Sequence, residues 1–332
     1  MATAIIGGAG YIGAHVVSLL RDRDEKVVIV DDFSTGLAER LQGADFLHLD
    51  ICDHAAPSVL SEFFRTHGVN SVMHFAGKKQ VFESLKKPIW YYEQNVSGTA
   101  NVLHAAQLAG VKTFVFSSSA AVYGISEVDE VRENDKTSPI NPYGETKLIG
   151  EWLVKNVSKA CGIRTVNLRY FNVVGAKSAT LADRGQFNLV PIALQQAIDG
   201  RALEVFGDDY DTYDGTCVRD YIHVEDLADA HVAARDFIAA QPEGESRTYN
   251  VGTGQGSSVK QIVDLVRSVT ARPLPVEVTP RRPGDPPAIT ANVDLIREDL
   301  DWKAQWTVHE AIESAWNAAL EWKKTGNDLK EY

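Results

Sequence analysis

Tyr143 and Lys147 stand four residues apart in the stretch SPINPYGETKL. On a helix, residues i and i+4 share one face, and Pro139 and Pro142 just upstream belong at a helix start rather than in its interior. Free Tyr and Lys titrate near ~10 and ~10.4, so neither alone is a base at neutral pH. A lysine ammonium beside a phenol favours the phenolate, and a phenolate takes a proton from an alcohol. Without company the same pair is an ordinary surface pair on an amphipathic helix. Company is offered by KTFVFSSS, an apolar run ending in Ser117, Ser118 and Ser119. Ligands of open α/β sheets bind beyond strand C-termini, where a serine hydroxyl donates to a substrate oxygen or passes a proton to Tyr143. The plainer role for such serines is to cap local backbone.

A third motif is IIGGAGYIG, with Gly7, Gly10 and Gly13 between an apolar strand and a helix. Glycines there allow a tight turn and close approach of a pyrophosphate, and the helix N-terminus supplies amide hydrogens and a positive dipole end. The next strand, KVVIVDD, ends at Asp31 and Asp32, where an acid accepts adenosine ribose hydroxyls. An acid would also repel a 2′-phosphate, which favours NAD over NADP. The second cluster, NVGTGQGSS with Gly252, Gly254 and Gly256, has no acid at that distance in a βαβ unit and reads as a structural turn.

The elements that must position these groups alternate. TAIIGG, KVVIVDD, ADFLHLDI, SVMHFAG, KTFVFSSS and RTVNLRYFN read as strands. IGAHVVSLLRD, APSVLSEFFRTH, one long helix over WYYEQNVSGTANVLHAAQLAG and another from about Tyr143 to Ala160 read as helices. Near-continuous apolar strands alternating with helices predict a doubly wound parallel sheet. From Gly175 to Phe187 the pattern lapses into a polar loop; LVPIALQQAIDG, LEVFG, VRDYIHVEDLADAHVAARDFI, TYNVGTGQGSSVKQIVDLVRSVT and TVHEAIESAWNAALEWKK resume it, and the proline-rich RRPGDPPAIT is expected to be irregular. No long linker divides the chain, so a second, smaller α/β unit is expected to grow out of the first.

The 332 residues include 44% hydrophobic and 23% charged side chains, ample for a core, and the net charge of −12 gives no electrostatic footprint for nucleic acid or an anionic membrane. Cys52, Cys161 and Cys217 are sparse and unpaired in pattern, as expected of free thiols in a reducing compartment. With no basic, apolar leader and no run near the ~18 apolar residues of a membrane span, a cytoplasmic protein is expected.

Together GGAGYIG, HFAGKKQVFES, FSSSAAVYG, NPYGETK, LRYFN, FGDDYDTYDGTCVRDYIHVEDLADAHV and RRPGDPPA resemble the extended short-chain dehydrogenase/reductases over nearly the whole chain, and among them the UDP-glucose 4-epimerases. The resemblance implies a Rossmann domain over 1–174, to which 214–254 returns, and a UDP-sugar domain over 175–213 and 255–332. It implies that Gly7, Gly10, Tyr11, Ile12 and Gly13 hold the pyrophosphate of NAD, Asp31 and Asp32 its adenosine ribose, and that Asp50 and Ile51 flank the adenine. Phe75, Ala76, Gly77 and Lys79 would line the cofactor, with Asn95, Ser117 and Tyr170 on the nicotinamide side. Ser119, Tyr143 and Lys147 would be the catalytic trio, Ser119 and Tyr143 touching substrate and Tyr143 and Lys147 also touching cofactor. Asn172, Asn188, Leu189, Val205, Phe206, Arg219, Arg282 and Asp285 would hold the UDP portion. Arginine suits that task because its planar fork pairs with phosphate oxygens. Tyr143 would take the O4 proton while hydride leaves C4 for NAD, and the 4-keto sugar would turn over before hydride returns to its other face. The family commonly pairs as a homodimer through helices that here correspond to 92–109 and 143–160.

His48, Asp50, Cys52, Asp53 and His54 crowd HLDICDH as metal ligands might, but the cofactor role of Asp50 explains them better, and no metal is expected. Several positions depart from the family pattern: Lys78 for an apolar residue, Phe82 for glycine, Ala121 for threonine, Val173 after YFN, a short Gly175–Phe187 loop, and Ile289 where some members carry tyrosine. They leave the chemistry intact and bear on the sugar, which is UDP-glucose/UDP-galactose or an N-acetylated UDP-hexosamine. A dehydratase or reductase of the same family is the next alternative; dehydration needs an acid and a base after the strand serine, where Ala120 and Ala121 stand. A non-catalytic dinucleotide sensor would have no need of Ser119, Tyr143 and Lys147.

Overall fold

The computed structural model describes residues 1–185, 187–282 and 284–324. Pro283 of the proline-rich stretch and residues 325–332 of the second expected domain lie outside the described residues. Successive elements run β1 (Ala2–Ile6), α1 (Tyr11–Asp22), β2 (Lys26–Asp31), β3 (Asp45–His48), α2 (Ala56–His67), β4 (Val69–His74), α3 (Val81–Lys86), α4 (Pro88–Tyr92), α5 (Gly98–Ala109) and β5 (Thr113–Ser119). They continue through β6 (Glu130–Val131), α6 (Pro142–Cys161), β7 (Arg164–Tyr170), β8 (Asn172–Val174), α7 (Leu189–Asp199), β9 (Leu203–Phe206), β10 (Val218–His223) and α8 (Val224–Ala239). The last are β11 (Ser246–Val251), β12 (Gly256–Ser258), α9 (Val259–Thr270), β13 (Val276–Thr279), β14 (Ala288–Ala291), α10 (Asp294–Leu300) and α11 (Val308–Lys324). Among the described residues no helix is long and apolar enough to cross a membrane.

Seven parallel strands form the main sheet in the order β11-β7-β5-β4-β1-β2-β3. Because side chains alternate along a strand, each strand feeds two cores. Ile5, Ile29 and Met73 pack with Val16, Leu20 and Leu227 of α1 and α8 on one face, while Ala4, Ile6, Val28 and Phe114 pack with Leu60, Phe64, Val102 and Ala106 of α2 and α5 on the other. Full burial of such an aliphatic side chain contributes about 1.5–3 kcal/mol, which is why near-continuous apolar strands select this doubly wound arrangement. The order reverses between β1 and β4, so the cleft beyond their C-terminal ends is a topological switch point.

A second, smaller unit has its own core, in which α7, α9 and α11 contribute Val190, Leu194, Ile262, Val266, Ile312 and Trp316. Its strands β12-β10-β14-β6 form a sheet that β8 joins through β10. Within 214–254, β10 lies in this sheet, while α8 and β11 lie on the main one.

Three elements differ from expectation. The strand read through RTVNLRYFN breaks at Phe171, because both neighbours end level with Tyr170: Ser119 and Val251 are its register partners. Chain beyond it finds its next partner in β10, and becomes β8. The end of the proline-rich stretch is regular: after Pro287, Ala288–Ala291 has backbone donors again and forms β14 between β10 and β6. The long helix is interrupted by a π-helical turn at Glu93–Ser97 between α4 and α5, a feature often associated with functional sites.

Candidate active site

The glycine loop is shaped by close approach. Gly7 sits at φ +84, and a Cβ on Gly13 would lie 2.2 Å from the Gly7 carbonyl oxygen. Gly10 is the N-cap of α1 and offers no side-chain cap, so the first amides of the helix face the loop. The Asp31 carboxylate at the end of β2 accepts from the Ala9 amide and the Phe33 amide, both at 2.9 Å. Burial raises its pKa, the two amides opposing. Asp32 accepts from Ser34, and Lys78 Nζ lies 3.9 Å from it. Phe75 and Ala76 follow β4 against the Ile6 carbonyl, Ala76 so close that a Cβ on Gly7 would lie 2.7 Å from its nitrogen. These features make a cradle with room for backbone only, an acid beside it and free helix amides above it, which suits a dinucleotide. Ile12 lines α1, while Asp50 caps Cys52 at 2.8 Å and Ile51 packs against Gly98.

Across the switch point, α6 begins with Asn141 as N-cap, its Oδ1 accepting from the Gly144 amide at 2.9 Å, and Pro142 in the first turn. This start sets Tyr143 and Lys147 on the face toward β5. Lys147 Nζ donates to the Ser117 carbonyl at 2.8 Å and lies 6.0 Å from the Tyr143 ring centroid. Ser119 lies beside Tyr143 and opposes the rise of the phenol's pKa; its hydroxyl caps the following turn by accepting from the Ala121 amide at 3.2 Å. Ser117 Oγ donates to the Tyr170 hydroxyl at 3.2 Å. Asn95, in the π-helical turn, accepts from the Lys78 amide at 2.7 Å and donates to Thr146 Oγ1 at 3.0 Å, and a Cβ on Gly77 would approach its Oδ1 to 3.0 Å. Burial pulls Lys147 down to about 8. Burial also raises Tyr143 well above its ordinary value, the Ser119 hydrogen bond opposing. The Lys147 ammonium points to the Ser117 carbonyl, and in the chain by itself burial outweighs its pull on the phenol.

The residues expected to hold a UDP portion form another group. Arg282 stacks on Phe206 with its guanidinium 3.6 Å from the ring centroid and 5.5 Å from Phe82. Arg219 Nη2 lies 3.8 Å from Asp285, and Val205 precedes Phe206 in β9. Asn172 opens β8 opposite Tyr221. Asn188 and Leu189 begin α7, with Asn188 turned to Asp183 at 3.0 Å, so no contact ties Asn188 to that arginine group. Lys79 points its ammonium over Phe187, 6.0 Å from the ring centroid. A small apolar cavity of about 30 Å³ beside Tyr11, Val174 and Leu194 is not lined by Ser119, Tyr143 or Lys147.

Sequence reasoning passed over Glu151 and Arg169. They form a buried two-point ion pair, Nε to Oε1 at 2.9 Å and Nη2 to Oε2 at 2.7 Å, and removing one partner of such a pair costs about 3–5 kcal/mol. The one local signal was that Glu151 continues the four-residue spacing of Tyr143 and Lys147.

Comparison with known proteins identifies the family. The model of the NAD dependent epimerase/dehydratase family matches residues 3–252. The chain is 42% identical over 322 residues to UDP-glucose 4-epimerase of Halalkalibacterium halodurans, covering 96% of this chain and 95% of that one. It superposes on UDP-glucose-4-epimerase from Stenotrophomonas maltophila with bound NAD and formylated UDP-arabinopyranose at TM-score 0.90 and 37% identity, covering 98% of both. It superposes on the UDP-Glc/GlcNAc 4-epimerase from Campylobacter jejuni at TM-score 0.84 and 35% identity, covering 98% and 99%. The chain belongs to the NAD dependent epimerase/dehydratase family, as an isomerase of UDP-glucose 4-epimerase type.

Proposed function

We propose that this chain interconverts the C4 epimers of a UDP-hexose, UDP-glucose and UDP-galactose, with Tyr143 as the base. The observation that carries this reading is the convergence of Ser119, Tyr143 and Lys147 beside the Phe75–Gly77 turn, with a separate arginine group at Arg219 and Arg282. The glycine loop and Asp31 would hold NAD, with Asp32, Asp50, Ile51, Lys79, Asn95 and Tyr170 along it; when bound, it would accept a hydride from C4, return it, and add a second positive charge near Tyr143 to that of Lys147. Tyr143 takes the O4 proton, Ser119 holds the same oxygen by hydrogen bonding, and Lys147 braces the phenol from below. Arg219 and Arg282 pair with the pyrophosphate and Asp285 with the ribose, so binding energy from the nucleotide serves chemistry at the sugar. A grip confined to the nucleotide leaves the 4-keto sugar free to present its other face.

A second reading, action on N-acetylated UDP-hexosamines too, is favoured by Ile289, which pairs in register with Arg219 in the adjacent strand and is buried among Tyr123, Leu148 and Phe171, leaving no tyrosine there to fill the sugar side. Dehydration is disfavoured because the turn after Ser119 holds Ala120 and Ala121. On the same reading, 1–174 with 214–254 serves the cofactor, 175–213 with 255–332 serves the UDP-sugar, and the protein works as a cytoplasmic homodimer. The test is product analysis of UDP-galactose and, in parallel, UDP-N-acetylgalactosamine incubated with purified protein and no added cofactor. The 4-epimer of the first is expected, and the ratio of rates ranks the sugars. No conversion of either, even with NAD added, would overturn the reading.

A further inference from the structure

The three serines ending β5 meet α6 at three places. Ser119 lies beside Tyr143, the Ser117 carbonyl accepts from Lys147 at 2.8 Å, and Ser118 Oγ donates to Glu151 Oε1 at 2.5 Å. Tyr143, Lys147 and Glu151 follow one another at four-residue spacing, so one stripe of α6 carries all three. Glu151 is gripped from β7 by the Arg169 fork, whose other nitrogen donates to the Tyr123 hydroxyl and the Glu133 carbonyl, both at 3.0 Å. Tyr123 in turn donates to Asn250 on β11 at 2.6 Å. Glu151 and Arg169 are 5% and 6% exposed.

Stability alone does not call for this network, since apolar residues of similar volume commonly serve as well as a buried ion pair. Its position supplies another reason. Lys147 is surrounded by the Phe116 ring on β5 at 5.2 Å, the Tyr143 ring on its own helix, His74 on β4, and, through Ser117, Tyr170 on β7 and His231 on α8. None of these is an anion at neutral pH: burial holds His74 and His231 neutral, at about 3 and about 4, and raises both tyrosines. The Glu151 carboxylate, one turn further along α6, opposes the loss of the Lys147 proton.

We propose that Glu151, clamped by Arg169 and Ser118, is a positioning residue for the reaction: it fixes the register of α6 on β5 and with it the places of Tyr143 and Lys147.

This rests on the epimerase reading, so the test pairs turnover with a measurement that needs none. The double variant Glu151→Leu/Arg169→Met removes the pair without orphaning either charge. Its kcat is expected to fall about 10-fold or more with KM nearly unchanged, because misplaced catalytic groups cost rate. The alkaline limb of its pH profile should shift, because a displaced α6 changes the burial of Lys147 and its bond to the Ser117 carbonyl. Competitive acylation of lysines, read peptide by peptide by mass spectrometry across pH, should show the Lys147 midpoint shifting with it. An unchanged midpoint and unchanged kcat in the folded double variant overturn the proposal. If that variant does not fold, Ser118→Ala decides: a kcat lowered about 5-fold, one lost hydrogen bond's worth, at constant KM supports it, and wild-type kcat overturns it. Wild-type protein that inverts no UDP-sugar would sink the epimerase reading, while the Lys147 midpoint would still decide the role of Glu151.

Discussion

Tyr143 enters the cleft as a buried phenol, held by Ser119 and raised above its ordinary range by desolvation. If it is the base, its hydroxyl is irreplaceable while its ring is mere packing. Tyr143→Phe should therefore lower kcat by about 100-fold or more, the usual scale of a lost acid–base group, with the thermal midpoint and NAD content of the purified protein retained. Near-normal turnover would remove Tyr143 from that role. Asp31 makes a different prediction. Its carboxylate ties the Ala9 amide to the end of β2 and, on the proposed reading, accepts the ribose hydroxyls of NAD. Replacing it with alanine removes charge-assisted hydrogen bonds of about 1.5–3 kcal/mol, so NAD retained through gel filtration should drop about 10-fold or more. Unchanged content would show that Asp31 serves the loop alone. The placing of Tyr143 and Lys147 on one face of a helix, and of Asp31 at a strand end beside the glycine loop, was legible because each depends on local sequence. Glu151 and Arg169 were not, because an ion pair between a helix and a strand 18 residues on leaves no local mark.

At the scale of elements, the short loop after β8 is strapped to the dinucleotide side. Gly175 accepts from the Tyr11 hydroxyl at 2.6 Å, and the Lys177 amide donates to His15 Nε2 at 3.2 Å. Arg40, 3% exposed, donates to the carbonyls of Ala9, Thr180 and Ala182, and Arg184 pairs with Glu39. Burial and the neighbouring Arg184 lower Arg40 to about 10, so it stays charged at neutral pH. Arg40→Gln should release these carbonyls and speed amide hydrogen exchange in the Ala179–Arg184 stretch about 10-fold, local opening being set by such ties. Unchanged protection there would mean that the loop is held by other contacts. The polar character of this loop was readable; its fastening was not, since its partners lie 140 or more residues away. The π-helical turn around Asn95 and strand β14 escaped notice for the same reason: each is decided by what packs beside it rather than by its own composition.

The expected cofactor residues lie on the main sheet and the Arg219, Arg282 and Phe206 group on the smaller unit. The doubly wound class was readable from alternating apolar strands; the sharing of β6, β8 and β10 with the second sheet depended on long-range pairing. On the outer surface of α5 and α6, Leu108 and Trp152 are exposed at 46% and 56%. If this face pairs two copies, Trp152→Glu should turn a two-chain particle into a single chain by analytical ultracentrifugation; a variant that sediments like wild type would place the interface elsewhere. The most direct test of the proposed function follows one atom. UDP-galactose carrying deuterium at C4 is incubated with the protein in ordinary water, and the UDP-glucose formed is analysed by mass spectrometry and NMR. Departure and return of the same hydride within the closed site predicts inverted product with deuterium retained at C4. Product carrying hydrogen from water at C4 would contradict it.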